Sequence, residues 1–252
     1  MKVISIFSEK GGVGKTTITT NLGVCLAKKD YKTLIIDMDP QGHVGKLLGI
    51  EPIKRRILDV LKTGNIMQDE IIRKTRLEKL FIIPSDWSLA DFTVNVARDP
   101  ARHLKLKILV SKIKDMFDII LIDSPPSLEL ITLNILLASE GVIIPVALTY
   151  LGLVGAASTL KIISQTKKAF NYAPGIIAFV PNLYDETPYT KELLEKLRAK
   201  LGKFVSKTVI YKDPEIDKSQ SYSTTVVELS PESKSAKAFE NLVDEIILKI
   251  GI

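Results

Sequence analysis

The stretch SEKGGVGKTT (residues 8–17) follows the apolar run VISIF and precedes a segment with helical spacing of its apolar residues. Strand, glycine-rich turn and helix in that order form the setting of a phosphate-binding loop, whose backbone amides and helix N-terminus face phosphate oxygens. Gly11, Gly12 and Gly14 lack a Cβ, so the chain can curl and aim its amides inward. Lys15 would reach the β- and γ-phosphates, and the Thr16 hydroxyl would face Mg²⁺. The usual pattern places glycine five residues before the Gly-Lys pair, and here that position is Glu9, followed by a second lysine, Lys10. A tight turn with an incidental lysine is the plain alternative, and a solvated loop residue is the plain alternative for Lys10.

Outward from the loop, short β-branched runs recur at residues 2–7, 33–37, 80–84, 118–123, 141–146 and 175–180. Each is nearly continuous in apolar character, as strands buried on both faces of a parallel sheet are. Helical patterns lie between them at 16–29, 104–116, 128–138, 153–170 and 191–201, and an amphipathic helix over 233–250 closes the chain. The alternation predicts an α/β fold: a doubly wound, mostly parallel sheet with helices on both faces and ligands at the carboxyl ends of the strands. With no repeat, low-complexity tract or Pro/Gly-rich linker, residues 1–252 are expected to form one domain. Apolar residues make up 46% of the chain, which excludes a disordered protein. No apolar run has the length of a membrane span, and no signal peptide is expected. The one cysteine, Cys25, excludes an internal disulfide, reads as core packing and fits a reducing cytoplasm.

With its extra lysine, the loop resembles the deviant Walker A motif of the ParA/MinD superfamily of P-loop ATPases. The resemblance implies ATP and Mg²⁺ as cofactors, and a homodimer in which Lys10 reaches the nucleotide of the second subunit, as a cation set against developing phosphoryl charge. It places Gly11, Gly12, Val13, Gly14, Lys15, Thr16 and Thr17 against ATP. The stretch DMDPQG (37–42) matches the family's DxDPQG, so Asp37 would help hold hydrated Mg²⁺ and Asp39 would position the attacking water. The stretch DIILIDSPPS (118–127) ends a strand in Asp123, a Walker B arrangement with the carboxylate turned to Mg²⁺. Asn182 and the loop near 211–216 would flank adenine. The likeness extends over nearly the whole chain and favours the Soj branch, which begins directly at the first strand. Glu9, where the family often has Gln, and Pro214-Glu215, in place of a more basic stretch, are departures.

The formal net charge is +6, and residues 191–212 hold seven basic side chains against two acidic ones. By resemblance, Lys207 and Lys234 match positions used for non-specific DNA binding, with Lys203, Lys212 and Lys237 as neighbours, and IKRR (53–56) is a lesser candidate. Phosphate contacts of this kind give affinity without reading sequence, whereas a solvated charged face is the plain alternative. The implied function is ATP-dependent DNA segregation with a ParB-like centromere-binding partner, in the cytoplasm and on the nucleoid, with no stable membrane association. A positioning ATPase for protein cargo shares every motif. A MinD-like membrane switch needs a basic amphipathic tail that VDEIILKIGI does not provide, and an iron–sulfur carrier needs bridging cysteines. His43 and His103 read as surface or capping residues, and Trp87 as a packing residue.

Overall fold

The computed structural model describes residues 2–50, 56–65, 68–126 and 129–252. Seven strands form one sheet: β1 (Val3–Ile6), β2 (Thr33–Asp37), β3 (Arg73–Lys74), β4 (Leu80–Ile83), β5 (Ile119–Asp123), β6 (Gly141–Ala147) and β7 (Gly175–Asn182). Their order is β3-β4-β2-β5-β1-β6-β7. All pairings are parallel except β3 with β4. Helices α1 (Lys15–Lys28), α2 (His43–Leu47), α3 (Ile57–Thr63), α4 (Gln68–Ile71), α5 (Phe92–Asn95) and α6 (Lys105–Ile113) occupy the first half. The second half carries α7 (Glu129–Ala138), α8 (Tyr150–Phe170), α9 (Pro188–Leu201), α10 (Pro214–Ser221), α11 (Val226–Leu229) and α12 (Lys234–Ile250).

The strands divide their side chains between two faces, because successive Cβ atoms alternate. Ile4, Ile35 and Leu121 pack with Ile18 and Leu22 of α1 and Phe239 and Leu242 of α12. Val3, Leu34, Ile36 and Ile122 pack with Leu109 and Ile113 of α6 and Ile135 of α7 on the other face. Val142, Ile144 and Phe179 extend that packing to Ile163 of α8 and Leu197 of α9. This is the doubly wound, mostly parallel arrangement that the apolar runs predict. Cys25 lies buried in the first cluster, and burial pushes its thiol up to about 12, so it is an inert packing residue.

Helix ends follow local signals. The Thr149 hydroxyl accepts from the Gly152 amide and starts α8 at Tyr150, three residues earlier than its apolar spacing indicates. Thr187, Asp213 and Ser233 cap α9, α10 and α12 in the same way, with Pro188 and Pro214 at the first helical positions. Strand β3 and helices α2, α3, α4, α5, α10 and α11 have no counterpart in the periodicity reading, since each is too short or too polar to show a period. Of the basic stretch 53–56 only Arg56 falls among the described residues, and Ser127 of the Walker B stretch lies outside them. Among the described residues, no helix is long and apolar enough to cross a membrane.

Phe239 is fully buried where α12 closes over α1. Phe239→Ala is expected to lower the unfolding free energy by about 3–5 kcal/mol, measured by urea denaturation. A loss under about 1 kcal/mol would mean that α12 is not part of the core.

Candidate active site

The site is assembled where β1, β2 and β5 end side by side. In register, Ile6 faces Asp123, and Asp37 faces Asp123. The loop after β1 therefore lies next to the carboxylate ending β5, with the carboxylate ending β2 on its far side. Ligands of open α/β sheets bind at this edge. The Ser124 hydroxyl donates to the Ile6 carbonyl at 2.8 Å and ties the two strand ends together.

The loop turns through left-handed backbone at Gly12 (φ 71°) and Gly14 (φ 88°) and passes directly into α1. Gly14 has a second reason to be glycine: a Cβ there would lie 2.2 Å from Asn182 Nδ2. That Nδ2 donates to the Val13 carbonyl at 2.8 Å, so the end of β7 buttresses the loop. Lys15 is buried and its Nζ donates to the Lys10 carbonyl at 3.2 Å. Burial lowers the Lys15 pKa, against the pull of Asp123 and Asp39.

Asp123 is fully buried. Its Oδ2 accepts from the Thr16 hydroxyl at 2.7 Å and its Oδ1 from the Thr19 hydroxyl at 2.8 Å. Burial pushes its carboxyl up to about 6, opposed by those two hydroxyls and by Lys15, with Asp39 adding to the rise. Asp37 is equally buried and is raised well above its ordinary value, by burial first and by Asp123 second. Both Asp37 oxygens accept backbone amides, from Asp39 at 3.0 Å and Val44 at 3.2 Å. Asp37 thus holds the turn into α2, a role its DxD spacing does not reveal. Asp39 Oδ1 accepts from the Gln41 amide at 2.9 Å, and Oδ2 has no hydrogen-bond partner among the described residues.

Two clefts meet over the loop. The larger, about 800 Å³, is lined by Gly11, Lys15, Thr16, Asp39, Trp87 and Gln220, among others. The second, about 530 Å³, runs from Gly12 and Thr17 past Asn182 to Lys212, Pro214 and Ile216. Asn182 and the 211–216 segment thus stand together beside the loop. Lys10 lines neither cleft; its side chain runs across Gly155 of α8, where a Cβ would come within 3.0 Å of Lys10 Cβ. Trp87 requires a correction: its indole is 66% exposed on the rim of the larger cleft and does not pack in the core. The 3₁₀ turn Trp87–Asp91, capped by Asp86, carries it there. His43 is exposed at the start of α2, and His103 lies against the ring of Phe170, 5.1 Å between centroids. Gln220 is a cleft residue without a sequence signal; its Nε2 donates to Thr17 Oγ1 at 3.0 Å from 203 residues away in the chain.

The basic candidates separate. Lys207 and Lys234 line one groove with Lys237. Lys234 pairs with Glu186 at 2.8 Å and lies 3.9 Å over the Tyr211 ring. The Glu245 carboxylate accepts the Lys207 and Thr208 amides and shapes that loop. Lys203 sits over Phe204, and Lys212 lines the cleft beside Asn182.

Comparison with known proteins agrees with this geometry. Residues 1–174 match the family described as AAA domain. The chromosome-partitioning ATPase Soj of Treponema pallidum is 32% identical, over 99% of this chain and 98% of its own. The chain belongs to the ParA/Soj family of P-loop ATPases. The cell division ATPase MinD of Pyrococcus furiosus superposes with a TM-score of 0.79 at 31% identity, covering 97% of this chain and 98% of its own. Cobyrinic acid a,c-diamide synthase of Mycobacterium smegmatis, solved with an ATP analogue and magnesium, gives a TM-score of 0.84 at 27% identity, over 97% of this chain and 93% of its own.

A carboxyl raised by folding favours the fold while it is protonated. For Asp123 that contribution is complete below the unfolded value of about 4 and is lost as pH rises through about 6. In nucleotide-free protein with EDTA, the urea midpoint is expected to fall across this interval, and Asp123→Asn to flatten the fall. Parallel curves for the two proteins would contradict the placement of an ionisable, buried Asp123.

Proposed function

We propose that this protein is a partitioning ATPase that hydrolyses ATP with Mg²⁺, closes into a face-to-face homodimer over two nucleotides, and binds DNA without sequence preference in that state. The observation that carries the reading is the division between the two loop lysines. Lys15 lines its own cleft, whereas Lys10 lies outside it along α8, a position that supports a role at the nucleotide of a second copy.

Gly11, Gly12, Val13, Gly14 and Thr17 cradle the phosphates, with Lys15 supplying charge. The oxygen donors of Thr16 and Asp123, 2.7 Å apart beside the loop, suit a hard divalent cation. Held there, Mg²⁺ would supply charge neutralisation at the phosphates. Asp37 stands beside that seat and would help hold the hydrated ion while its oxygens hold the turn. Asp39, with Oδ2 uncommitted, accepts a hydrogen bond from the water whose oxygen attacks the γ-phosphorus. The bond from that phosphorus to the bridging oxygen breaks, giving ADP and phosphate. Asn182 and the 211–216 segment flank the base.

The groove of Lys207, Lys234 and Lys237 is the DNA surface, with Lys203 and Lys212 outside that groove. Doubling the surface in a dimer doubles the phosphates neutralised, and log affinity falls with log salt by about 0.9 per phosphate. A ParB-like centromere-binding protein would stimulate turnover and release.

Lys10→Ala is expected to retain nucleotide binding but lose ATP-driven dimerisation and hydrolysis. Asp39→Ala is expected to dimerise with ATP and fail to turn over. Sedimentation and phosphate release measure both, and a Lys10→Ala protein that dimerises like the unsubstituted one would overturn the role in trans. Lys207→Glu with Lys234→Glu is expected to abolish mobility shifts of unrelated duplexes while ATP-driven dimerisation persists. Retention that needs no nucleotide, or that survives both substitutions, would remove this surface from the account.

A further inference from the structure

Arg76 stands in the turn between β3 and β4, outside both clefts, and all five of its guanidinium N–H groups are used. Nε donates to Glu228 Oε1 at 2.7 Å and Nη2 to Glu228 Oε2 at 2.5 Å. Nη2 also donates to Thr224 Oγ1 at 2.8 Å, and Nη1 to the carbonyls of Leu48 at 3.0 Å and Ser223 at 3.4 Å. The Glu228 side chain is only 14% exposed, and its Oε2 also accepts from Thr225 at 2.9 Å. Burial pushes this carboxyl up, and Arg76 with the threonine hydroxyls more than reverses the rise. A planar fork engaged at both ends is more than a surface ion pair.

The contacts join parts of the chain that both line the phosphate cleft. Leu48 ends α2, whose His43, Lys46 and Leu47 line it. Ser223 and Thr224 form the turn after α10, whose Gln220 lines the same cleft and borders the second one as well. Ser223 is held in left-handed backbone, φ 51°, a conformation that persists in a non-glycine residue only where the surroundings impose it. The Arg76 fork on the Ser223 carbonyl, the Thr224 hydroxyl and Glu228 is such a constraint. Three residues upstream of Ser223, Gln220 donates to Thr17 at the base of α1.

We propose that Arg76 and Glu228 are positioning residues of the nucleotide site: their fork fixes the separation of α2 and α10, and so sets nucleotide affinity without entering the chemical step. The proposal rests on the reading of the cleft as the ATP site. It assigns a function to two residues that lie far apart in the chain and carry no motif.

The test uses Arg76→Lys, which keeps a cation facing the buried carboxylate but cannot form the fork, together with Glu228→Gln and the double variant. Calorimetric titration with ADP in Mg²⁺ is expected to show affinity reduced by about tenfold in each single variant, and no further in the double, as for partners acting as one unit. Steady-state ATP hydrolysis is expected to show KM raised with kcat preserved, which loss of folded protein would not produce. Thermal unfolding without nucleotide confirms that the variants remain folded. ADP affinity within twofold of the unsubstituted protein in folded Arg76→Lys and Glu228→Gln would overturn the clamp alone. Absence of ADP binding by the unsubstituted protein would overturn the ATP-site reading and the clamp with it.

Discussion

The hydrogen bonds from Thr16 and Thr19 to the Asp123 carboxylate hold the site together. They lock the first turns of α1 to the end of β5, across from the strand that launches the loop. A buried carboxylate without such partners would be costly, and here burial still raises its pKa despite them. The fold accepts this strain where a cation and phosphates are to be received. Asp37, its neighbour in register, sets a second buried carboxyl at the same edge. Perturbed carboxyls facing a cleft and a buried lysine are the electrostatic pattern of a functional site.

Rigidity is distributed unevenly around that contact. The loop is braced from below by Ser124 on Ile6, and from the side by Asn182 on Val13. The walls of the cleft are short elements, α2 and α10, that bury little of their own and depend on cross-links such as the Arg76 fork. A cleft with a fixed floor and cross-linked walls can hold a nucleotide while one face stays open for a second molecule.

Much of this was legible in the sequence, for definite reasons. The six long strands declare themselves because they are buried on both faces and therefore apolar throughout. Asp37 and Asp123 stand out as charges that end apolar runs. Gly12 and Gly14 mark a turn that needs left-handed backbone. The rest depends on contacts between distant residues. Nothing local distinguishes Gln220 or Arg76 from other polar surface residues, since each gains its place from partners about 150 or more positions away. A lone tryptophan usually packs, and Trp87 does not because the short 3₁₀ turn that carries it buries Leu89 instead and leaves Trp87 on the rim. Strand β3, two exposed residues long, has no apolar pattern to read. The lysines between 191 and 212 read as one cluster, yet the fold sends Lys207 to the groove with Lys234 and Lys212 to the cleft beside Asn182.

The proposed seat of the magnesium–nucleotide is the Thr16 hydroxyl with the Asp123 carboxylate. Calorimetric titration of ATP, in Mg²⁺ and again in EDTA, on the unsubstituted protein and on Thr16→Val, tests it most directly. The account predicts ATP binding that Mg²⁺ strengthens in the unsubstituted protein, and a strengthening that is lost in Thr16→Val. Affinity that is the same in EDTA, or that gains equally from Mg²⁺ without the Thr16 hydroxyl, would contradict it.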